Sequence, residues 1–110
     1  MNKVPPKKVF VIFDSFDIEL FENKIKNAYT NEKVTFIFDF SSKEFGLSDL
    51  VKGKPILDKY RDQTRKKLCK SILITPKLWQ KVLLQTFFLI VKPERPYEFY
   101  DSISYTNDLP

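Results

Sequence analysis

The sequence predicts a single α/β domain with about four mostly parallel strands covered by about three helices. A chain of 110 residues suits one domain and supplies ample core material, including eleven phenylalanines. Its apolar segments lack the polar alternation of half-exposed strands, which is typical of strands covered on both faces in a parallel sheet. These segments alternate with segments of helical period, so the order β-α-β-α-β-α-β follows. We expect frayed ends at 1–7 and 105–110.

The first half of the chain predicts strand, helix, strand. "KKVFVIFD" (7–14) and "KVTFIFDF" (33–40) are strands that we expect to be buried on both faces. Between them, "DIELFENKIKNAYTN" (17–31) has the period of a helix, and Asp17 stands where an N-cap residue is preferred. The predicted inner face of this helix is Ile18, Phe21, Ile25 and Ala28, with Tyr29 beside it.

The segment "PILDKYRDQTRKKL" (55–68) predicts a second helix with Pro55 in its first turn. Proline suits that position because the first backbone N–H groups of a helix have no intrahelical partner. The predicted inner face is Ile56, Leu57, Tyr60, Thr64 and Leu68.

The last third predicts strand, helix, strand. "KSILITP" (70–76) is a short buried strand, and Thr75 followed by Pro76 predicts a cap and first turn for the helix "KLWQKVLLQTFFLIV" (77–91). "YEFYDSIS" (97–104) is a weaker fourth strand. The predicted inner face of the last helix is Leu78, Trp79, Val82, Leu83, Phe87 and Ile90.

The composition argues against an enzyme and against a bound metal or cofactor. One cysteine and no histidine rule out an internal disulfide, the usual zinc spacings and the usual base of a catalytic triad. Neither glycine has a partner at the spacing of a phosphate-binding loop. The cysteine usage predicts a reducing, cytoplasmic location, and the apolar runs are too short to span a bilayer.

Two segments are candidate binding surfaces. The stretch Lys52 to Lys70 holds eight Lys and Arg residues, which suits nucleic acid or anionic lipid, or else a solvated outer helix face. "FFLIV" (87–91) covers every direction of a helix, so apolar surface is left outside as a partner patch or a lipid-facing gate. Alternatively, the helix ends near Phe87 and the rest packs as a turn.

The order of elements and the loop after the second strand resemble STAS domains, the fold of anti-sigma-factor antagonists. Asp39-Phe40-Ser41 resembles the Asp-Leu-Ser that ends a buried strand in that family, and Phe45 lies where the family has an inward aromatic residue. Ser48 falls on the family's phosphorylatable serine. Leu47, Asp49 and the interruption at 52–55 depart from the family's pattern, in which one helix continues through this region.

A second resemblance is to the core half of CRAL-TRIO lipid-transfer domains. The segments "FDFSSKEFGLSDLVKGKPIL" and "SILITPKLWQKVLL" are similar to that family's strand ending in Asp, apolar helix, strand, Pro-bearing loop and aromatic-containing helix. This resemblance implies an apolar ligand or a membrane surface as the partner.

The STAS resemblance implies a non-enzymatic module over residues 1–110 that docks a protein partner through the loop 41–54. Ser48 is then either a phosphorylation site or simply the cap of the following helix. The alternatives are docking to anionic lipid and docking to nucleic acid, each through Lys52–Lys70. The many phenylalanines are also compatible with a homodimer. The predicted partner-binding residues are Ser41, Ser42, Phe45, Ser48, Asp49, Lys52 and Lys54.

Overall fold

A computed structural model describes residues 5–12, 17–40 and 47–101, with the backbone alone described at 12, 47 and 49. The described part has four strands and four helices that alternate along the chain. They are β1 (Lys7–Ile12), α1 (Ile18–Ala28), β2 (Val34–Asp39), α2 (Leu47–Lys59), α3 (Arg61–Lys67), β3 (Leu68–Ile74), α4 (Leu78–Ile90) and β4 (Tyr97–Tyr100).

The four strands form one sheet in the order β1-β2-β3-β4, and every neighbouring pair is parallel. Phe36 of β2 is the register partner of Val9 on one side and of Ser71 on the other, and Ser71 in turn is paired with Tyr97. The predicted fold class is therefore confirmed.

The described helices all lie on one face of this sheet. Phe36 and Phe38 of β2 point to that face, where α1 and α2 pack against Phe36 and α4 packs against Phe38. This arrangement follows from the strand order, because a right-handed crossover to the next strand always returns on the same side. On the opposite face, a separate buried cluster consists of Ile37, Ile72 and Ile74, with Tyr100 packed against it.

Helix α1 forms largely as its sequence predicts. The Asp17 carboxylate accepts hydrogen bonds from the backbone N–H groups of Glu19 (3.0 Å) and Leu20 (3.2 Å), which confirms the cap. Its buried residues are Phe21, Ile25 and Ala28, one helical face. The prediction for Ile18 is wrong, because this first-turn residue is 45% exposed.

The second predicted helix is wrong in its start and its length. Helix α2 begins at Leu47, contains Pro55 in its interior and ends at Lys59, and α3 follows after Tyr60. The segment 52–55 therefore does not interrupt the helix. An interior proline removes one hydrogen bond of the helix and crowds the preceding turn, while the neighbouring Ile56 is buried in the core and holds this part of α2 in place. The residue predicted to end this helix, Leu68, is instead the first of β3.

The start and the inner face of the last helix also differ from prediction. Lys77, not Thr75, is the residue before α4, and the Thr75 N–H donates to the Tyr100 carbonyl beside it in the sheet (2.8 Å). The helix continues to Ile90 rather than ending near Phe87. Of the predicted inner face, Phe87 is buried and Leu83 packs against the core, but the other members, Leu78, Trp79, Val82 and Ile90, are exposed.

The two outer strands are less buried than predicted. Phe10 of β1 is 42% exposed, because β1 lies at the edge of the sheet. In β4, at the other edge, Tyr97 and Glu98 are exposed. The part of the predicted fourth strand beyond Asp101 lies outside the described residues.

Candidate functional site

A cavity of about 150 Å³ lies between the sheet and the helices α2, α3 and α4. The sheet supplies its floor from β2 and β3, and the inner side of α4 supplies a wall. The segment 91–95, which leads from α4 towards β4, forms part of its rim. The largest apolar side chains that line it are Phe36, Phe38, Leu73, Leu84, Phe87 and Phe88.

Two small residues explain why the space is not filled. Gly53 of α2 lines the cavity and has no side chain to extend into it. Ser71 lines it from β3, at the register position beside Phe36. Since interiors of folded proteins are otherwise packed as densely as organic crystals, a gap of this size needs such a local shortage of side-chain volume.

The rim of the cavity is held by an ion-pair network between α2, α3 and the segment 91–95. Glu94 accepts from Arg61 Nη1 (2.9 Å) and from Arg65 Nε (2.9 Å), so one carboxylate holds two arginines of α3 to this segment. Arg61 also donates to Asp58, through Nη2 at 2.7 Å. The hydrogen bond from Arg65 and the nearby guanidinium charges hold the pKa of Glu94 below its ordinary value.

Two further cations lie at the same rim. Arg95 Nε donates to the Leu68 carbonyl at 2.9 Å, which fixes the rim to the start of β3. Lys92 is exposed and makes no ion pair within the described part of the chain. The rim therefore carries positive charge that Glu94 does not neutralise.

Gln80 anchors the beginning of α4, a role that no pattern in the sequence indicates. It is buried, its Nε2 donates to the Phe40 carbonyl (3.0 Å), and its Oε1 accepts from the Lys77 N–H (3.2 Å). These bonds join α4 to the end of β2 and so fix the helix that forms the cavity wall. Thr75 Oγ1, nearby in sequence, is buried without a hydrogen-bond partner in the described structure.

The outer side of α4 carries exposed apolar residues. Leu89 is 81% exposed, Ile90 78% and Leu78 77%. At 3.6 residues per turn, Leu78, Val82 and Leu89 fall in one narrow sector, with Trp79 and Ile90 beside it. We call these five residues, Leu78, Trp79, Val82, Leu89 and Ile90, the α4 stripe.

The partner-binding residues predicted in the loop 41–54 are only partly described. Ser41, Ser42 and Phe45 lie outside the described residues, as does the side chain of Asp49. Ser48 is the second residue of α2, so the prediction that it precedes and caps the helix is wrong.

Two exposed members of this set lie one helical turn apart. Ser48 and Lys52 are both exposed on α2, whereas Lys54 pairs with Asp58 at 2.7 Å. The structure thus brings Ser48 and Lys52 to one surface of the helix start.

Most of the basic run from Lys52 to Lys70 is neutralised by carboxylates of the same chain. Glu94 contacts two of its arginines, and Lys70 pairs with Glu98 at 3.2 Å. The paired members are Lys54, Lys59, Arg61, Arg65 and Lys70. This arrangement leaves less free charge for a polyanion than the sequence suggests.

Among the described residues, no three His, Cys, Asp or Glu side chains come together as a metal site, and no helix has the length and apolarity needed to cross a bilayer. A scan against protein-family models and searches of curated proteins and of solved structures found no match to this chain. The candidate site is therefore defined by its own geometry, and the two family resemblances stay predictions from the sequence.

Proposed function

We propose that this domain is a non-enzymatic binding module that takes a small apolar ligand, or the apolar end of an amphipathic one, into the cavity between the sheet and α2–α4. The observation that carries the proposal is the cavity itself, with its phenylalanine and leucine walls. Of the functions that the sequence suggests, this corresponds to the lipid-binding alternative.

The energetics of an empty cavity support an occupant. Leaving apolar space unfilled costs about 24 cal/mol per Å³, so an enclosed dry cavity of about 150 Å³ forfeits roughly 3–4 kcal/mol. The opening at the rim lowers this figure. Apolar cavities of about this size stay dry and accept guests as large as benzene. The size therefore suits an aromatic ring or a short stretch of hydrocarbon chain rather than a whole phospholipid.

The rim supports an anionic head group on that ligand. Lys92 and Arg95 line the cavity and have no carboxylate partner within the described residues, whereas Arg61 and Arg65 are already engaged by Glu94. A ligand with a carboxylate at the mouth would gain a charge-assisted contact with these cations. The hydrocarbon part of the same ligand would enter the apolar cavity. A medium-chain fatty acid is the simplest molecule with both features.

The proposal is tested by calorimetric titration of the full chain with octanoate. Leu84→Phe extends an aromatic ring from the wall into the cavity. The ring would displace on the order of two methylenes of octanoate, worth ~0.8 kcal/mol each, so we expect the affinity for octanoate to fall about tenfold. Leu78→Phe makes the same change on the exposed side of α4 and is the matched control. Equal affinity in both variants, or no binding to the wild type, would refute the proposal.

A companion measurement separates the head group from the chain. We expect Lys92→Ala to weaken octanoate and to leave octan-1-ol unchanged, because only the carboxylate interacts with the ammonium group. Equal weakening of both ligands would show that Lys92 acts through packing instead.

A second candidate function is the docking of a protein partner at the start of α2. It is favoured by the exposure of Ser48, Val51 and Lys52 on adjoining positions of this helix. A phosphate on Ser48 would lie in the first turn, where the helix dipole stabilises negative charge, with Lys52 one turn away. A partner retained equally by wild type and by Ser48→Ala/Val51→Ser/Lys52→Ala would eliminate this candidate.

A further inference from the structure

We infer that the α4 stripe is a docking surface for a membrane that contains anionic lipid. The inference does not rest on the cavity, since it concerns the opposite side of α4. Three observations carry it: the exposure of the stripe, the sign of the charges around it, and its position on the outermost crossover helix of the sheet.

The stripe is too apolar to be an ordinary solvated helix face. Leu78 at one end of α4 and Leu89 and Ile90 at the other are each more than three-quarters exposed, with Val82 between them. Single exposed apolar residues are common on protein surfaces, but five on one side of a helix, interrupted only by Gln85 and Thr86, mark an interaction site. The opposite side of α4 packs in the core through Leu84 and Phe87.

The charges on α4 and on the residue before it have one sign. Between positions 77 and 91 the charged residues are Lys77 and Lys81, and this interval contains no aspartate or glutamate. Lys81 lies over the ring of Phe99, 5.6 Å from its centroid, and so stays beside the helix. A helix with an apolar side and flanking lysines is the pattern that lies in the interface of an anionic bilayer.

This charge pattern disfavours a second copy of the chain as the occupant. A two-fold contact brings the same surface of both copies together. The lysines of one copy would then lie against the lysines and apolar residues of the other, and the stripe has no carboxylate to pair with them. A bilayer with anionic head groups satisfies both the apolar residues and the lysines. The position of α4 over the edge of the sheet formed by β3 and β4 leaves its outer side open to such a flat surface.

The test is flotation of the full chain with vesicles of phosphatidylcholine alone and of phosphatidylcholine with phosphatidylserine. We expect binding only to the anionic vesicles, weakened by salt. Lys81→Glu should weaken it by at least about fivefold, the effect of removing roughly 1 kcal/mol per basic residue near the surface. Trp79, the single tryptophan, reports contact through a blue shift of its fluorescence on the same vesicles.

The matched variants are Leu89→Ser/Ile90→Ser on the stripe and Ile18→Ser/Leu20→Ser on α1. Both pairs replace one exposed leucine and one exposed isoleucine, although the α1 pair is less exposed (45% and 55%) than the stripe pair (78% and 81%). We expect the first pair to lose at least about tenfold in vesicle binding and the second to keep it. Circular dichroism spectra of both pairs should match the wild type.

The inference is overturned if the wild type fails to float with anionic vesicles, if it floats equally with neutral ones, or if both double variants lose binding alike. Binding of an acidic protein at the stripe with no vesicle binding would overturn it as well. Leu84→Phe, which fills the cavity, should leave flotation unchanged, so failure of the ligand proposal and failure of this inference are distinguishable.

Discussion

The two halves of the layer between helices and sheet differ in how they are filled. Beneath α1, Ile25 is only 1% exposed and packs with Val34 and Phe36 in a cluster of buried residues. Tyr29 and Phe36 lie at the boundary between the halves, since both also line the cavity: their rings meet edge-on with centroids 5.6 Å apart, and the Tyr29 hydroxyl is 2.6 Å from that of Thr64. Beneath α2–α4, the cavity remains.

The difference shows where the fold is stabilised and where it has room for a ligand. The filled half is built from side chains of large volume, whereas the cavity half contains Gly53 and Ser71 at positions that face the interior. The cavity half is held at its rim by the pairs of Glu94 with Arg61 and Arg65 rather than by apolar packing alone. Four predictions test this contrast, starting with the largest effect.

Removing a large side chain from the filled half should destabilise the domain most. We expect Ile25→Ala to lower the free energy of unfolding by about 2–5 kcal/mol, through lost burial and a new cavity. Denaturant titration followed by circular dichroism measures the change. A loss below about 1 kcal/mol would mean that α1 packs loosely and that the contrast between the halves is wrong.

Enlarging a side chain should distinguish the halves most sharply. Ile25→Phe over-packs a filled site and should destabilise by about 1–3 kcal/mol, whereas Leu84→Phe extends into free space and should be neutral or stabilising. The two variants add a similar ring to buried positions of comparable exposure. Equal destabilisation by both, in the same denaturant titration, would indicate that the cavity collapses in solution.

Loss of the α1 cap should weaken the filled half without altering the cavity. Asp17→Ala removes an acceptor from two backbone N–H groups, so we expect about 1 kcal/mol of destabilisation. Octanoate affinity, measured by calorimetry under conditions where the variant is folded, should be unchanged. A parallel fall in affinity would mean that the halves are mechanically coupled.

Acidification should loosen the rim through Glu94. The pKa of Glu94 lies below the ordinary value of 4.5, mainly because Arg65 donates a hydrogen bond to its carboxylate. The stabilisation by Glu94 is therefore fully present above about pH 4.5, and it is lost as the pH falls through the lower pKa of the folded state. Octanol, which stays uncharged, should bind more weakly over that range.

The control for this pH effect is a second paired carboxylate, in the filled half. The pKa of Glu22 is lowered mainly by its hydrogen bond from Lys59. Glu94→Gln should abolish most of the pH dependence of octanol binding, while Glu22→Gln should leave it in place. Octanol titrations at several pH values measure this. A pH dependence that persists in Glu94→Gln and disappears in Glu22→Gln would show that Glu94 does not stabilise the rim.

The sheet was predictable from the sequence because its signal is strong and local. Strand β2 is a continuous apolar run, and its burial on both faces is what such a run implies. The repeating alternation with helices then predicts parallel strands with right-handed crossovers, whereas the common side of the helices follows from the strand order in the structure. The Asp17 cap was predictable for the same reason, since it depends on a few adjacent residues.

The helices were harder to predict because tertiary packing overrides local signals. Pro55 is a strong reason to begin a helix, yet α2 begins eight residues earlier, where the packing of Leu50 and Ile56 supports it. In α4, apolar residues occur all around the helix, so its period cannot identify the inner side. Only the position of the helix on the sheet does so.

The cavity was not predictable because it depends on the spacing between elements far apart in the chain. The one signal in the sequence is the occurrence of small residues, Gly53 and Ser71, at positions that turn out to face the interior. Without the register of β2 with β3, nothing relates these two positions to each other.

The most direct test of the central claim is a crystal of the protein pressurised with xenon. Xenon enters dry apolar cavities of this size, so we predict electron density for it between Phe38, Leu84 and Phe88 with the side chains unmoved. Side chains closed over that position, with no xenon density in the layer beneath α2–α4, would contradict the account.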